Sequence, residues 1–154
     1  MPFKTAREYE EPRAIQFSVF MANRVGQLED MLLFLAKEKV SLLGISIVDS
    51  ADWAVNRMVF TDHDKAREIL RKCSLSFTES EVLLVEIAAG KSLADICGHL
   101  VRAEINVHFA YPLMVRRQDN PIMVFHVDDT TTATQTLTHH GLTLLNDYDL
   151  AEST

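Results

Sequence analysis

Cysteine, glycine and proline are all scarce in this chain. Among 154 residues there are 2 cysteines, 5 glycines and 4 prolines. Cys73 and Cys97 form no CxxC pair and have no histidine pattern beside them, which argues against a zinc knot or a disulfide scaffold. Both fall on the apolar stripes of helical segments, where a buried thiol is expected. The glycines are too dispersed for a phosphate-cradling loop. No Gly/Ser/Pro-rich linker separates one part of the chain from another. A basic excess is also missing: the net charge is −7. That disfavours non-specific binding to nucleic acid or to anionic membranes, since both need a cationic face. Arg71–Lys72 and Arg116–Arg117 are read as solvated charges at a helix end and a hairpin tip. No apolar run approaches the length of a membrane span. The opening MPFKTAREYEEPR is charged throughout and is not a secretory signal, so a reducing cytoplasm is the expected location.

What the chain does have is internal repetition. Leu28, Met31, Leu32, Leu35 and Ala36 recur at helical spacing, and Leu93, Ile96, Cys97, Leu100 and Val101 repeat them at an offset of 65. Strand-like IQFSVFMA precedes the first set and EVLLVEIA the second. VSLLGISIV and INVHFAYPLMV follow, then NRMVFT and NPIMVFHV, with Met58-Val59-Phe60 matching Met123-Val124-Phe125. A second helix comes next in each half, capped by Asp62 or Asp64 in one and by Asp128 or Asp129 in the other. Short strands LSFTE and TLLND close the halves, and the junction between them is TESE.

Each half therefore reads strand–helix–strand–strand–helix–strand. This is the ferredoxin-like order of an α+β fold: a four-stranded antiparallel sheet with two helices on one face. The expected boundaries are a tail at 1–13, units at 14–79 and 80–150, and a tail at 151–154. LLGISIV is expected on a sheet edge, and Pro112 agrees with an edge position for its counterpart. Such an apolar edge invites pairing, either half to half or with a second copy of the chain.

The residues resemble the ACT domain, a small ligand-binding regulatory module of amino-acid metabolism. The likeness spans about residues 14 to 150 as two tandem copies. Its most telling piece is the first strand-to-helix loop, Asn23-Arg24-Val25-Gly26-Gln27-Leu28. The family pattern is Asn/Asp-x-Pro-Gly-x-Leu, so Asn23, Gly26 and Leu28 match and Val25 replaces proline. The second loop, Gly90-Lys91-Ser92-Leu93, keeps only the glycine and the leucine.

The loop has its own physics. A helix beginning just after Gly26 leaves unpaired amide protons at its positive end, which suits a carboxylate. Glycine admits close approach of a ligand, and Asn23 offers both donor and acceptor. The carbonyls around Gly44, Ile45 and Ser46 would take an ammonium group. The corresponding second-copy positions are Gly90, Lys91, Ser92, Ala110 and Tyr111. The bland alternative is that Gly26 turns the chain and Asn23 caps it.

The resemblance implies an effector held between such a loop and the second strand of an adjacent domain. It also implies an amino-acid ligand and control of a biosynthetic enzyme in trans, with a homodimer as the expected state and no cofactor. The runner-up is a dimerisation or interaction module whose ligand site has decayed. An enzyme has no residues in its support: Ser18, Ser46 and Ser92 lie in no nucleophile pattern, Asp128–Asp129 fits capping, and His108 and His126 come near each other without carboxylates or thiols to complete a metal site. Trp53 at a hairpin tip is either a contact residue or a cover over the sheet edge.

Overall fold

The computed structural model describes residues 13–22, 25–49 and 53–153. In chain order the elements are β1 (Ala14–Met21), α1 (Val25–Lys37), β2 (Leu42–Asp49), β3 (Ala54–Phe60), α2 (His63–Lys72) and β4 (Ser76–Glu86). Then come α3 (Leu93–Arg102), β5 (Val107–Pro112), β6 (Ile122–Val127), α4 (Thr130–His139), β7 (Thr143–Leu145) and a 3-10 helix (Asp147–Ser153). All strand pairs are antiparallel, in the order β2-β3-β1-β4-β6-β5, and β7 also pairs with β4. These are two tandem ferredoxin-like units, as the repeat implies. Asp62 and Asp129 are the caps, accepting from Lys65 N at 3.1 Å and Thr132 N at 3.0 Å.

The joint between the units differs from expectation. The strands expected at 75–79 and 81–88 are one continuous strand, β4. Its Ser76–Val82 portion pairs with β1, and Leu83–Glu86 pairs with β6. In the polar junction Thr78-Glu79-Ser80-Glu81 the carboxylates share the Phe77 face and are paired there, Glu79 with Arg67 of α2 and Glu81 with Arg13. Val82–Val85 is buried on both faces and apolar throughout.

Alternation along the strands sorts side chains into three cores. In the first, Phe17, Val19, Met58 and Phe60 pack on Met31 and Leu35 of α1 and on Ala66, Ile69 and Leu70 of α2. Phe17 meets Phe60 and Phe77 edge-on, both at 5.6 Å. In the second unit, Leu83, Val85 and Phe125 pack on Ile96, Leu100, Ala133 and Leu137. The faces turned away from the helices pack against each other through Leu43, Val59, Val82, Leu84, Tyr111 and Val124. The result is four layers, helices outside and two sheets inside.

Three polar contacts register the middle layer. Met114 N donates to Leu43 O at 2.8 Å, the Tyr111 hydroxyl donates to Gln16 Oε1 at 2.6 Å, and the Arg57 guanidinium lies 3.7 Å over the Phe109 ring. The 3-10 helix closes the layer. Leu150 is fully buried in it, Asp147 holds His63 at 2.8 Å, and the Tyr148 hydroxyl donates to Asp64 at 3.0 Å.

Other expectations need correcting. Cys97 is exposed and Cys73 only half-buried. On α3, Leu93 is 44% and Val101 73% exposed, since Ile96 and Leu100 alone reach the sheet. Arg117 is no bystander: its Nη1 lies 3.9 Å from the buried Glu86 carboxylate. Both β2 and β5 do occupy sheet edges. The halves are nevertheless joined through the shared β4 and the stacked faces, not by pairing β2 edge to edge.

Candidate functional site

The two expected loops reach different ends. The buried pairs Met31/Leu35 and Ile96/Leu100 set Val25-Gly26-Gln27 opposite Gly90-Lys91-Ser92. The first triplet is helical and adds a turn to α1. The second is not: Gly90 takes a φ of +83° and Ser92 is extended as the N-cap of α3.

The first turn of α1 stands open. Val25 is 83% exposed, and a Cβ at Gly26 would meet nothing within 4 Å. No acidic side chain lies in that turn. Its amide protons have no partner one turn back in the helix, and they sit at the positive end of the dipole. Asn23 and Arg24 lie outside the described residues.

Gln27 is half-buried, and its Oε1 is shut off from solvent without a hydrogen-bond partner among the described residues. It borders a pocket of about 240 Å³ with Asp30, Met31, Cys73 and Leu75. Burial, and secondarily the Asp30 charge, pushes the Cys73 thiol up, so it is a neutral wall group and not a nucleophile. On the other flank of α1, Val25, Leu28, Glu29, Leu32 and Leu33 line an apolar groove of about 290 Å³. A pocket of 240 Å³ is below the usual range of about 300–1,000 Å³ for drug-sized ligands, so its volume suits a small metabolite and not a nucleotide. Chemically, Gln27 Oε1 and Asp30 can accept from an ammonium group, the helix end favours a carboxylate, and Met31 and Leu75 offer an apolar wall.

The second loop is satisfied from within. Ser92 Oγ accepts from Asp95 N at 3.1 Å, and the Asp95 carboxylate accepts from Ser92 N at 3.0 Å. This capping box places the protein's own carboxylate at the end of α3 where a ligand's would go. Lys91 Nζ donates to His140 O at 3.2 Å. Gly90 and Ala110 are exposed, whereas Tyr111 is buried with its hydroxyl on Gln16.

On β2, Gly44 is buried under the second unit: a Cβ there would fall 2.5 Å from Leu113 Cδ2. Ile45 packs on the first core and Ser46 is half-buried. A larger pocket, about 510 Å³, borders the start of β2 at Ser41 and Leu42, but it lies against the C-terminal half of α1 (Leu35, Ala36). The 240 Å³ pocket includes no β2 residue. Asp30, Cys73 and Leu75 were not expected beside Gln27. Cys73 and Leu75 lie more than forty positions along the chain, and no spacing rule links them.

Elsewhere among the described residues, His63 and Asp147 form a tight pair, and the other ring nitrogen of His63 lies 3.7 Å from Asp64. Among the described residues no three His, Cys, Asp or Glu groups converge to hold a metal ion. Among the same residues no helix is long and apolar enough to cross a membrane.

A family model described as an ACT domain pair matches residues 13–154. The crystal structure of a Bacteroides thetaiotaomicron protein superposes with a TM-score of 0.78 at 24% identity, covering 91% of this chain and 96% of that one. The regulatory subunit of aspartate kinase from Thermus thermophilus superposes at 0.56 with 10% identity, covering 84% and 93%. That from Thermus flavus gives 0.50 and 14%, covering 81% and 90%. At these identities the likeness establishes the fold. Comparison with curated proteins gave no match.

Proposed function

The chain belongs to the ACT domain pair family, and from that premise we propose that it is a non-catalytic regulatory protein which binds a small amino acid at the first turn of α1. One observation carries the reading. The first-copy helix end is open beside an unpartnered glutamine oxygen, while the second-copy end is occupied by its own Ser92–Asp95 box. The ligand carboxylate meets the amide protons of the Val25–Gln27 turn, its ammonium meets Gln27 Oε1 and Asp30, and its side chain lies on Met31 and Leu75. Asn23, by its position in the family pattern, completes the loop.

Binding acts by linkage. A ligand that favours one arrangement of the units, or of two chains in a homodimer, shifts that equilibrium. Its output passes in trans to a cytoplasmic biosynthetic enzyme, a mode supported by aspartate kinase regulatory subunits among its structural neighbours.

A second reading, an interaction module with a decayed site, draws on one feature: Leu113 covers Gly44, the strand position where the resemblance puts an effector. A thermal-shift screen of the standard amino acids separates the two. A ligand at about one hundred times its Kd stabilises by about 2.7 kcal/mol. Silence across the panel would overturn the sensor reading and leave the interaction module.

A further inference from the structure

In a chain of net charge −7, one surface gathers cationic groups. Lys91, His99 and Arg102 come from α3 and the turn before it, and His139 and His140 from the end of α4. The His99 and His140 rings stack at 3.9 Å, 25° from parallel, and His139 meets His140 edge-on at 5.3 Å. Arg102 Nη2 lies 2.9 Å from His99 Nδ1, with its guanidinium folded back over Gly98.

The tautomers follow from the partners. A guanidinium only donates, so His99 Nδ1 accepts and the proton of the neutral ring sits on Nε2. His140 Nδ1 faces Thr136 O at 2.8 Å, a carbonyl that only accepts, so that nitrogen carries the proton.

Helix-end carbonyls explain part of this. Lys91 donates to His140 O and His140 donates to Thr136 O, as cationic groups do at a C-terminus. They do not account for Arg102, which turns back onto the neutral His99 ring and brings a second permanent cation onto the surface that holds Lys91. His99 shows the consequence. Loss of water, then His140 and Arg102, hold it below the usual imidazole range, and the Asp95 charge opposes them more weakly. Asp95 is itself committed to the Ser92 amide.

We propose that this patch binds a phosphoryl anion. The anion supplies a counter-charge for Lys91 and Arg102, and protonation of His99 turns its Nδ1 into a donor, which frees Arg102 to bond the anion. A metal ion does not fit, because Lys91 and Arg102 would repel it and no three ligands converge among the described residues. Binding is coupled to proton uptake by His99, so it tightens as pH falls toward the imidazole range. The site is on the second unit and does not depend on an amino acid binding at α1.

The test follows the imidazole C–H signals of the full chain by NMR through a pH titration, once in sodium phosphate and once in sodium chloride at matched ionic strength. The pKa of His99 should rise by about half a unit or more in phosphate only, while that of His126 stays unmoved. Arg102→Gln, and Lys91→Gln at the exposed turn as a second variant, should each cut that rise by half or more. Equal values in the two salts, or an equal shift of every histidine, would overturn the site. Glycerol 3-phosphate in place of the phosphate salt should raise the His99 pKa in the same way, and failure of both anions to do so would overturn the site.

Discussion

Gly44→Val probes whether the two units are one folded body. A Cβ at this position would sit 2.5 Å from Leu113 Cδ2 and 3.4 Å from Leu113 Cα. Ordinary carbon contacts are about 3.5–4.0 Å, so the first overlap is about 1 Å and the Leu113 side chain must swing away. Overpacking of this kind costs about 1–3 kcal/mol. Removing a glycine from a strand returns about 0.5–1 kcal/mol. The net expectation is a loss of about 1–2 kcal/mol, read by urea unfolding. In a Leu113→Ala background the overlapping methyl is gone, and Gly44→Val should become neutral or stabilising by about 0.5–1 kcal/mol. The two backgrounds then differ by about 2 kcal/mol, well outside the additivity error of about 0.3–0.5 kcal/mol. Each variant should also unfold in a single transition, because the middle layer and β4 are common to both units. An equal cost of Gly44→Val in both backgrounds, or separate transitions for the two halves, would refute the stacked-sheet packing.

Leu150→Ala removes a side chain with no exposed area from the middle layer. It should cost about 2–5 kcal/mol, or about 5–15 °C in Tm, measured by calorimetry. Arg67 bonds Glu79 through Nε at 2.8 Å and also bonds Asp64 at 2.9 Å, and it holds both carboxyls below their ordinary range. A depressed carboxyl pKa stabilises the fold above its unfolded value and loses that contribution as pH falls through the folded one. Arg67→Met should therefore cost up to about 1 kcal/mol at pH 7, given the solvent screening of these groups, and the difference from wild type should vanish in acid. A cost that persists unchanged at pH 2–3 would show that the packing of the Arg67 stem, not its charge, matters.

Much of the architecture is legible in local pattern. The 65-residue echo of Met31/Leu35 in Ile96/Leu100 marks equivalent helices, because burial on one face leaves a periodic trace. Asp62 and Asp129 announce helix starts through their own chemistry. Pro112 marks an edge because it cannot donate to a ladder. Contacts made at long range leave no such trace. Nothing near residue 63 announces Asp147, and nothing near residue 16 announces Tyr111. The continuity of β4 is hidden because Glu79 and Glu81 read as a polar junction, whereas they are strand residues on the Phe77 face whose charges Arg67 and Arg13 answer from distant parts of the chain. The exposure of Cys97 and Val101 is hidden too. An apolar stripe tells which face could be buried, not how much of it the sheet covers. At the candidate site, the asymmetry of the two loops needs coordinates. Ser92, expected as a ligand contact, is half of a capping box with Asp95, whereas the turn at Gly26 stands open.

The central claim is a single open effector site at α1 with its counterpart at α3 closed. Calorimetric titration of the amino acid that gives the largest thermal shift tests it directly, using wild type, Gln27→Ala and Ser92→Ala. Binding near one equivalent per chain is expected. It should weaken about tenfold or more, at least about 1.4 kcal/mol, in Gln27→Ala and stay unchanged in Ser92→Ala. Two equivalents per chain with each variant losing one, or full affinity in Gln27→Ala, would contradict it.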